Sequence, residues 1–444
     1  MRSVTFPQGG IHPPTQKKKT RHVPTRNAII PPTSVVPLLQ HTGAPARPLV
    51  APGDRVREGM LIGRAVGAGG ANVHAPIPGV VREVRSVLLP GGASSPAIVI
   101  DMDGEFDRLG KRTERRSGDS LDSADVLQAI RENGVVAMDG PPEPMHERLG
   151  TAADSRCDLL IVNGCESEPY LSADHRLMVE RAQAIVEGAR IVARAVGPTR
   201  TFIAIEADKG DALAALRDAV RASGGGIELV RLRVKYPQGD ERQLIKAVAG
   251  REVPSGRAAI DVGCVTVGVA TAVAIQEAVV YGQPLVQRIV TVGGGAITSP
   301  ANIKVRVGTP IADLIAECGG LSTTPAKVVV GGPLVGRTIT DLSTPITKDA
   351  RAVLALTERE VRPAPTRPCI GCGRCVEACP MGLNPTRLFK LIDHGDLAQA
   401  TSEGLFDCTE CGSCGYICPS RIPLVHGLRV GKARLERRSQ GGDR

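Results

Sequence analysis

One cysteine spacing occurs twice near the end of the chain. From Cys369 the sequence reads CIGCGRCVEACPMGLNP, and from Cys408 it reads CTECGSCGYICPS. Each half is C-x2-C-x2-C-x3-C-P. Three cysteines two residues apart lie on one tight loop, with their sulfurs converging. The fourth, ahead of a proline, points away from that loop. This is the spacing that holds two cubane iron–sulfur clusters, the fourth cysteine of each half serving the other cluster. Cys369, Cys372, Cys375 and Cys418 are therefore assigned to one [4Fe–4S] cluster, and Cys408, Cys411, Cys414 and Cys379 to the second. Pro380 and Pro419 stop the chain folding back. Gly371, Gly373, Gly412 and Gly415 leave room for backbone N–H groups to point at sulfur. Zinc and disulfides are the alternatives. Zinc sites use cysteine pairs, four to a metal, and need neither the third cysteine nor the proline.

The chain is long enough, at 444 residues, for three or four domains. Aromatic residues are only 2% and Trp is absent, so Val, Ile, Leu and Ala must build the cores. The net charge of +9 resides mainly in Lys17–Lys19, Arg108–Arg116 and the tail from Arg429 to Arg444. Such runs are read as solvated linkers and tails. The alternative is contact with anionic lipid or an acidic partner protein. No aromatic-interleaved basic patch points to nucleic acid, so no DNA or RNA partner is expected. The start, MRSVTFPQGG, has no apolar h-region, so no signal peptide is expected. The most apolar run, Cys264 to Ile275, is too short to span a bilayer. Eight cysteines committed to clusters favour a reducing compartment. The expected location is cytoplasmic, peripheral on the cytoplasmic face of the cell membrane.

The texture of the sequence divides the chain. Residues 1–34 are Pro-rich and basic and read as an irregular arm. Residues 35–107 alternate short β-branched runs with Gly/Pro turns, in two similar halves. They resemble a biotinyl/lipoyl-like barrel-sandwich domain. A carrier version needs a lysine on the hairpin tip, and the tip Gly67–Ala71 has none, so the domain is read as structural. Residues 108–120 read as a charged linker. Over 121–284 strands and helices alternate, which implies a Rossmann-like, largely parallel sheet covered on both faces. The expected elements are a helix at Asp125–Glu132, a strand at Asp158–Asn163, one long helix at Asp174–Val196, a strand at Thr201–Ile205, a helix at Ala212–Ala222, a strand at Ile227–Val234 and a helix at Arg242–Ala249. Ligands in such sheets sit at the carboxyl ends of the strands, where the acidic loop Asn163–Pro169 falls. Residues 285–342 read as strands around one helix near Ile311–Cys318, a β-grasp-like module. Residues 343–367 read as a linker, 368–428 as the cluster domain and 429–444 as a basic tail, disordered after about Gly431.

Several motifs agree on one family. GGIHPP, QHTGAP at Gln40–Pro45, VHAPIPG at Val73–Gly79, EPYLSADHRLM at Glu168–Met178 and KYPQGDERQLIKAVAGREVPSG at Lys235–Gly256 resemble the C subunit of the Rnf/Rsx electron-transport complex, as do VGVATAVAIQEAVVYGQPL at Val267–Leu285 and the double cysteine motif. The likeness covers nearly the whole chain. The middle part also looks like the flavin-bearing NADH-oxidising subunit of respiratory complex I. The resemblance implies a barrel-sandwich domain, an FMN/NADH-type α/β domain, a soluble-ligand-binding (SLBB-like) β-grasp and a helical bacterial-ferredoxin-like domain with two [4Fe–4S] clusters.

The resemblance also implies FMN in the α/β domain, taking hydride from NADH and passing single electrons to the clusters. A nicotinamide donates two electrons and a cubane accepts one, so a flavin is needed between them. The family holds FMN with a glycine-rich loop and an Asn-x-x-Glu-x-Glu-Pro loop. The second is matched by Asn163, Glu166, Glu168 and Pro169. The first, roughly GLGGAGFPTxxK in the family, aligns with Ala137–Arg148, where only Gly140 survives. Pro141 and Pro142 carry no N–H, and Asp139 and Glu143 add charge that repels a phosphate. FMN retention in the family manner is thereby put in question.

Glu166 and Glu168 are read either as flavin or nicotinamide contacts or as loop and cap groups. Asp174 or Ser172 is expected to N-cap the next helix, and His175 to be structural. Cys157, Cys165, Cys264 and Cys318 are read as small buried hydrophobes, Cys165 being the one inside the ligand loop. Three functions follow: an electron-transfer subunit of an Rnf-like membrane-associated oxidoreductase, a soluble electron-delivery protein of the cobalamin- or proline-reductase type, or a flavin-less iron–sulfur relay.

Overall fold

Short runs of β-branched residues punctuated by Gly and Pro make short strands, and the first domain is built of them. The computed structural model describes residues 3–104, 121–361 and 365–441. After β1 (Arg26–Asn27), which lies in the arm and joins the sheet of the third unit, the strands of the first domain are β2 (Thr33–Pro37), β3 (Arg47–Pro48), β4 (Arg55–Val56), β5 (Leu61–Arg64), β6 (Val73–His74), β7 (Gly79–Leu88) and β8 (Ser94–Met102). Two sheets, β2-β8-β7-β4 and β3-β5-β6, face each other. Between them Val36, Ile62, Ile77, Ile98 and Ile100 are fully buried. The Gly67–Ala71 tip is pinned to the next domain, because the Gly69 N–H donates to both carboxylate oxygens of Glu147 at 3.0 and 2.9 Å. The linker expected at Arg108–Ser120 lies outside the described residues.

The α/β domain begins with α1 (Ser123–Glu132), α2 (Met145–Ala153) and β9 (Leu159–Gly164). It continues through α3 (Ala173–Glu180), α4 (Ala182–Val196), β10 (Arg200–Glu206), α5 (Gly210–Ala222), β11 (Glu228–Leu232), α6 (Glu241–Ala249), β12 (Cys264–Gly268) and α7 (Val269–Tyr281). The four strands are parallel in the order β11-β10-β9-β12, so the winding direction reverses between β9 and β12. Helix α6 covers one face through Leu244 and Ile245, and α4 and α7 lie in the apolar core of the other. The apolar run from Cys264 is a buried strand followed by a buried helix.

The single long helix expected at Asp174–Val196 is instead two helices, broken at Arg181, which lies at φ −129°. Two packings pull the segment in different directions. The start of α3 is tied to the next domain, since the Ser172 and Ala173 N–H groups donate to Thr291 Oγ1 at 3.0 Å each. By contrast, α4 presses on α7 so closely that a Cβ at Gly188 would collide with the Ala272 carbonyl.

The third unit contains β13 (Gln287–Gly293), β14 (Ala301–Arg306), α8 (Ile311–Glu317), β15 (Lys327–Val330), β16 (Arg337–Ile339), β17 (Ala352–Leu356) and α9 (Glu358–Val361). Its sheet runs β1-β14-β13-β17-β15-β16. Residues 343–367, expected as a linker, thus supply a central strand, parallel to β13 and antiparallel to β15. AVLAL is buried along its whole length, as an apolar run between two covered faces should be.

The last unit is helical: α10 (Arg374–Glu377), α11 (Pro385–Asp393), α12 (Leu397–Ser402), α13 (Ser413–Ile417) and α14 (Leu424–Gly441). The tail expected to be disordered after Gly431 continues α14 to Gly441. Leu428 is buried against α11, and a Cβ at Gly431 would lie 2.6 Å from Ile392 Cδ1. Among the described residues no helix is long and apolar enough to cross a membrane.

The N-terminal arm is irregular, as proline dictates, but it is packed against all three later units. Val4 N–H donates to Arg231 O, Ile11 pairs with Tyr236 in both directions, and Gly10 N–H donates to Ala378 O, all at 2.9 Å. Phe6 is fully buried. Lys17, expected in a solvated run, is 4% exposed.

Candidate functional site

The two cysteine quartets line two separate cavities. Cys369, Cys372, Cys375 and Cys418 surround one, together with Thr386, Arg387 and Lys390. Cys379, Cys408, Cys411 and Cys414 surround the other, with Pro380, Met381 and Leu428. Each cavity takes three cysteines from one motif and the fourth from the other, the crossed arrangement that the spacing demands. Gly371, Gly373 and Gly412 all lie at positive φ, so the loops carrying the sulfurs turn where glycine turns without strain. Polar groups already stand beside the sulfurs: Cys375 Sγ is 2.9 Å from Thr386 Oγ1, and the Glu410 N–H donates to Cys408 Sγ at 3.4 Å. Burial pushes the Cys408 thiol up to about 11 and the Cys414 thiol to about 12. Such groups become thiolates only when a cation or cluster takes the proton's place. The donor set and its enclosure fit a cubane.

The quartets differ in surroundings. The second faces the body of the protein. Tyr236 Oη donates to the Cys411 carbonyl at 2.6 Å, a Cβ on Gly412 would lie 2.8 Å from the Leu334 carbonyl, and one on Gly9 would lie 2.5 Å from the Cys379 carbonyl. Gln243 of α6 reaches Met381 Sδ at 3.1 Å. The first quartet faces out. Cys369 and Cys372 are exposed, and Ile370 between them is 71% exposed.

Asn163, Glu166, Glu168 and Pro169 lie at and after the carboxyl end of β9, and the side chains of Asn163, Glu166 and Glu168 are occupied by the chain itself. The buried Glu166 carboxylate caps α3, accepting from the Asp174 N–H at 2.9 Å and the His175 N–H at 3.3 Å. This replaces the expected side-chain cap: neither Ser172 nor Asp174 provides one. Lys17 of the arm closes the other side of Glu166, donating to its backbone carbonyl and lying 4.0 Å from its carboxylate. Burial dominates both groups, raising the Glu166 pKa and lowering that of Lys17. Lys209 sits in the same buried cluster, where burial pulls its pKa down but Glu206 and Asp208 outweigh it and leave it raised. The Glu168 carboxylate accepts from the Leu334 and Val335 N–H groups at 3.2 and 3.1 Å, and burial lifts its pKa to about 7. His175 Nε2 is 2.7 Å from Asp211 Oδ1, a structural pairing. Cys165 is buried, with its thiol pKa pushed well up by burial, and a Cβ on Gly239 would lie 2.9 Å from its own Cβ.

The loop that aligns with the family's glycine-rich segment is a closed turn. Ala137 N–H donates to Glu143 O at 2.8 Å, Glu143 N–H to Pro141 O at 2.7 Å, and Met145 N–H to Val135 O at 3.0 Å. Gly140 has open space around it but neighbours that cannot donate, Pro141 and Pro142. Asn163 bonds Gly239 O at 3.0 Å and Asp139 at 3.3 Å, and accepts from Cys165 N–H at 3.1 Å. These residues do not fit a flavin phosphate in the family manner.

Sequence reasoning missed Lys17, Tyr236, Thr386, the buried Arg288 and the half-buried Arg351. One signal existed. In β13, Arg288 shares its period-2 face with Val290 and Val292, the core side of the strand. Arg351 Nη2 bonds Asp174 at 3.3 Å.

Four domain families match in the order of the fold. The RnfC barrel sandwich hybrid domain matches residues 4–105, the Nuo51 FMN-binding domain 130–277, the SLBB domain 289–338 and the 4Fe-4S dicluster domain 368–422. The last identifies the C-terminal unit as a two-[4Fe–4S] domain and removes the zinc and disulfide alternatives. Among solved structures, an NAD+-reducing [NiFe]-hydrogenase in the H2-reduced state aligns with TM-score 0.52 at 19% identity, covering 70% of this chain and 61% of that one. That likeness concerns the fold. The C subunit of the proton-translocating ferredoxin:NAD(+) oxidoreductase complex of Clostridium ljungdahlii is 40% identical over 396 residues, 89% of this chain and 86% of the relative. The C subunit of the ion-translocating oxidoreductase complex of Rhodobacter capsulatus is 40% identical over 433 residues, 97% of this chain and 83% of the relative. Its counterpart in the Na(+)-translocating ferredoxin:NAD(+) oxidoreductase complex of Acetobacterium woodii is 36% identical, covering 96% of each chain. With the crossed cysteine quartets at one end, the barrel sandwich at the other and identities of this size from end to end, the chain belongs to the family of C subunits of ion-translocating, Rnf-type oxidoreductase complexes.

Proposed function

We propose that this chain is the electron-transfer subunit of an Rnf-type membrane-associated oxidoreductase, relaying electrons between a soluble donor and partner subunits. The observation that carries the reading is the pair of cavities, each lined by three cysteines of one motif and one of the other. Cys369, Cys372, Cys375 and Cys418 hold one cluster; Cys379, Cys408, Cys411 and Cys414 hold the second. When bound, each cluster takes up and gives back one electron without a proton. The chain's own residues set the surroundings. The Thr386 hydroxyl and the Glu410 N–H stand at sulfur, where hydrogen bonds stabilise the more negative, reduced state. The Cys411 carbonyl is fixed by Tyr236, which ties the inner cluster loop to the α/β domain.

The exposed loop around Cys369, Ile370 and Cys372 is the side from which a redox partner reaches the first cluster. Arg387 and Lys390 line the same cavity and suit a partner with an acidic rim. Attachment to the cytoplasmic face of the membrane then comes through partner subunits. The test is Cys379→Ala in the assembled complex. One of two reduced-cluster EPR signals should disappear, and electron transfer through the complex should fall at least tenfold while the chain still co-purifies with its partners. Full transfer rates in that variant would overturn the reading.

A further inference from the structure

The place where an anionic cofactor would sit in the α/β domain is taken by the chain's own carboxylate. In open parallel sheets ligands bind outside the carboxyl ends of the strands, where the winding reverses. Here that point lies between β9 and β12. Asp139 sits there, directly over Gly268, the residue that caps the 13-residue helix α7. A Cβ on Gly268 would lie 2.7 Å from Asp139 Cγ. The Met138 N–H donates to Thr271 Oγ1 at 3.1 Å, which ties the loop to the first turn of α7. Asn163, at the end of β9, turns its amide toward Asp139 Oδ2 at 3.3 Å. A helix N-terminus at the end of a parallel strand favours a phosphate by its free N–H groups and its dipole, and the Asp139 carboxylate brings a negative charge to that end instead.

The charge count agrees. Buried Arg288 and half-buried Arg351 lie within the electrostatic reach of Asp139 and Asp174. A bound dianion would meet these arginines already balanced, and the Asp139 carboxylate would repel it. The prolines of the loop offer no N–H to a phosphate.

We propose that Asp139 is a built-in stand-in for a cofactor phosphate, so that the α/β domain holds no flavin and the chain relays single electrons only. One electron arrives from a reduced one-electron carrier protein, which is oxidised, and one leaves to an oxidised carrier, which is reduced. No hydride or proton changes place. This inference rests on the two-cluster reading above.

The test titrates FMN, and separately inorganic phosphate, into the anaerobic holo-chain, following flavin fluorescence and isothermal heat. The wild-type chain should show no saturable binding of either. Asp139→Gly combined with Pro141→Ala and Pro142→Gly should gain saturable binding, at least about tenfold tighter than wild type, as about 1.4 kcal/mol of relieved repulsion gives. Asp139→Asn, which keeps the shape, should show a smaller gain in phosphate binding; its iron content reports that it is folded. One-to-one FMN binding by the wild type would overturn the proposal. So would a wild type without flavin whose folded variants gain nothing, because Asp139 would then not be the occupant. Iron content is read in the same samples. Bound flavin with full iron sinks this inference alone, whereas missing iron sinks the relay reading.

Discussion

Replacing Lys348 with methionine tests how the units of this chain are joined. The side chain is 1% exposed. Its Nζ donates to Asn72 O in the barrel sandwich and to Gly134 O at the end of α1, both at 2.7 Å, and its backbone N–H donates to Gln40 Oε1 at 3.0 Å. Both Nζ acceptors are neutral carbonyls, and burial lowers the pKa to about 7. The sign follows from proton binding. An unfolded lysine titrates near 10.4. Between pH 7 and 10 the unfolded chain therefore holds a proton that the folded chain lacks, so the folded state gains stability as pH rises. The full slope is about 1.36 kcal/mol per pH unit, and between pH 7.5 and 9.5 the gain is about 2–3 kcal/mol. Methionine does not titrate. The variant should lose about 2 kcal/mol at pH 7.5, for two buried carbonyls left without a donor. The gap between the two chains should then widen by about 2–3 kcal/mol at pH 9.5. Urea unfolding followed by circular dichroism at both pH values measures this, and the titrations of groups that Lys348 does not influence cancel in the difference. Parallel stability curves for the two chains, or a gap that narrows, would refute the reasoning.

Other outcomes follow from the same structure. His74, beside Lys348, is buried with its pKa pushed down to about 3 by burial first and Lys348 second. Its contribution is present above pH 6.5 and is lost as pH falls toward 3, so a His74→Gln chain should have a flatter acid limb in thermal melts between pH 4 and 6.5. Lys17→Met removes one of the two ammonium groups beside the buried Glu166 carboxylate and should destabilise by about 3 kcal/mol in denaturant titrations. Adding Glu166→Gln should recover part of that loss. Tyr236→Phe removes the 2.6 Å bond to Cys411 and should lower stability by about 1 kcal/mol with iron content unchanged.

How much was legible in the sequence depended on how local the determinant was. The cysteine quartets were legible because spacing alone decides which sulfurs can meet. Most of the α/β order was legible because strands and helices there are separated by turn residues and have distinct periods. The break at Arg181 was not, because it arises from Thr291 holding one end of the segment and Ala272 crowding the other, contacts made far along the chain. Nor was β17, whose AVLAL is too short and too uniformly apolar to distinguish from a loop that crosses a core. Lys17 reads like its neighbours Lys18 and Lys19, and only the fold shows that it faces Glu166. At the candidate flavin site the sequence showed the loss of glycines, while the role of Asp139 over α7 needed the register of β12 against β9.

Iron and sulfide content with EPR, on chain purified anaerobically and reduced with dithionite, tests the central claim most directly. Two crossed quartets predict about eight irons and eight sulfides per chain and two interacting reduced [4Fe–4S] signals. Cys418→Ser should weaken the signal of the outward cluster and leave the inward one. Two zinc ions with no inorganic sulfide, or a Cys418→Ser chain that loses the inward cluster and keeps the outward one, would contradict the account.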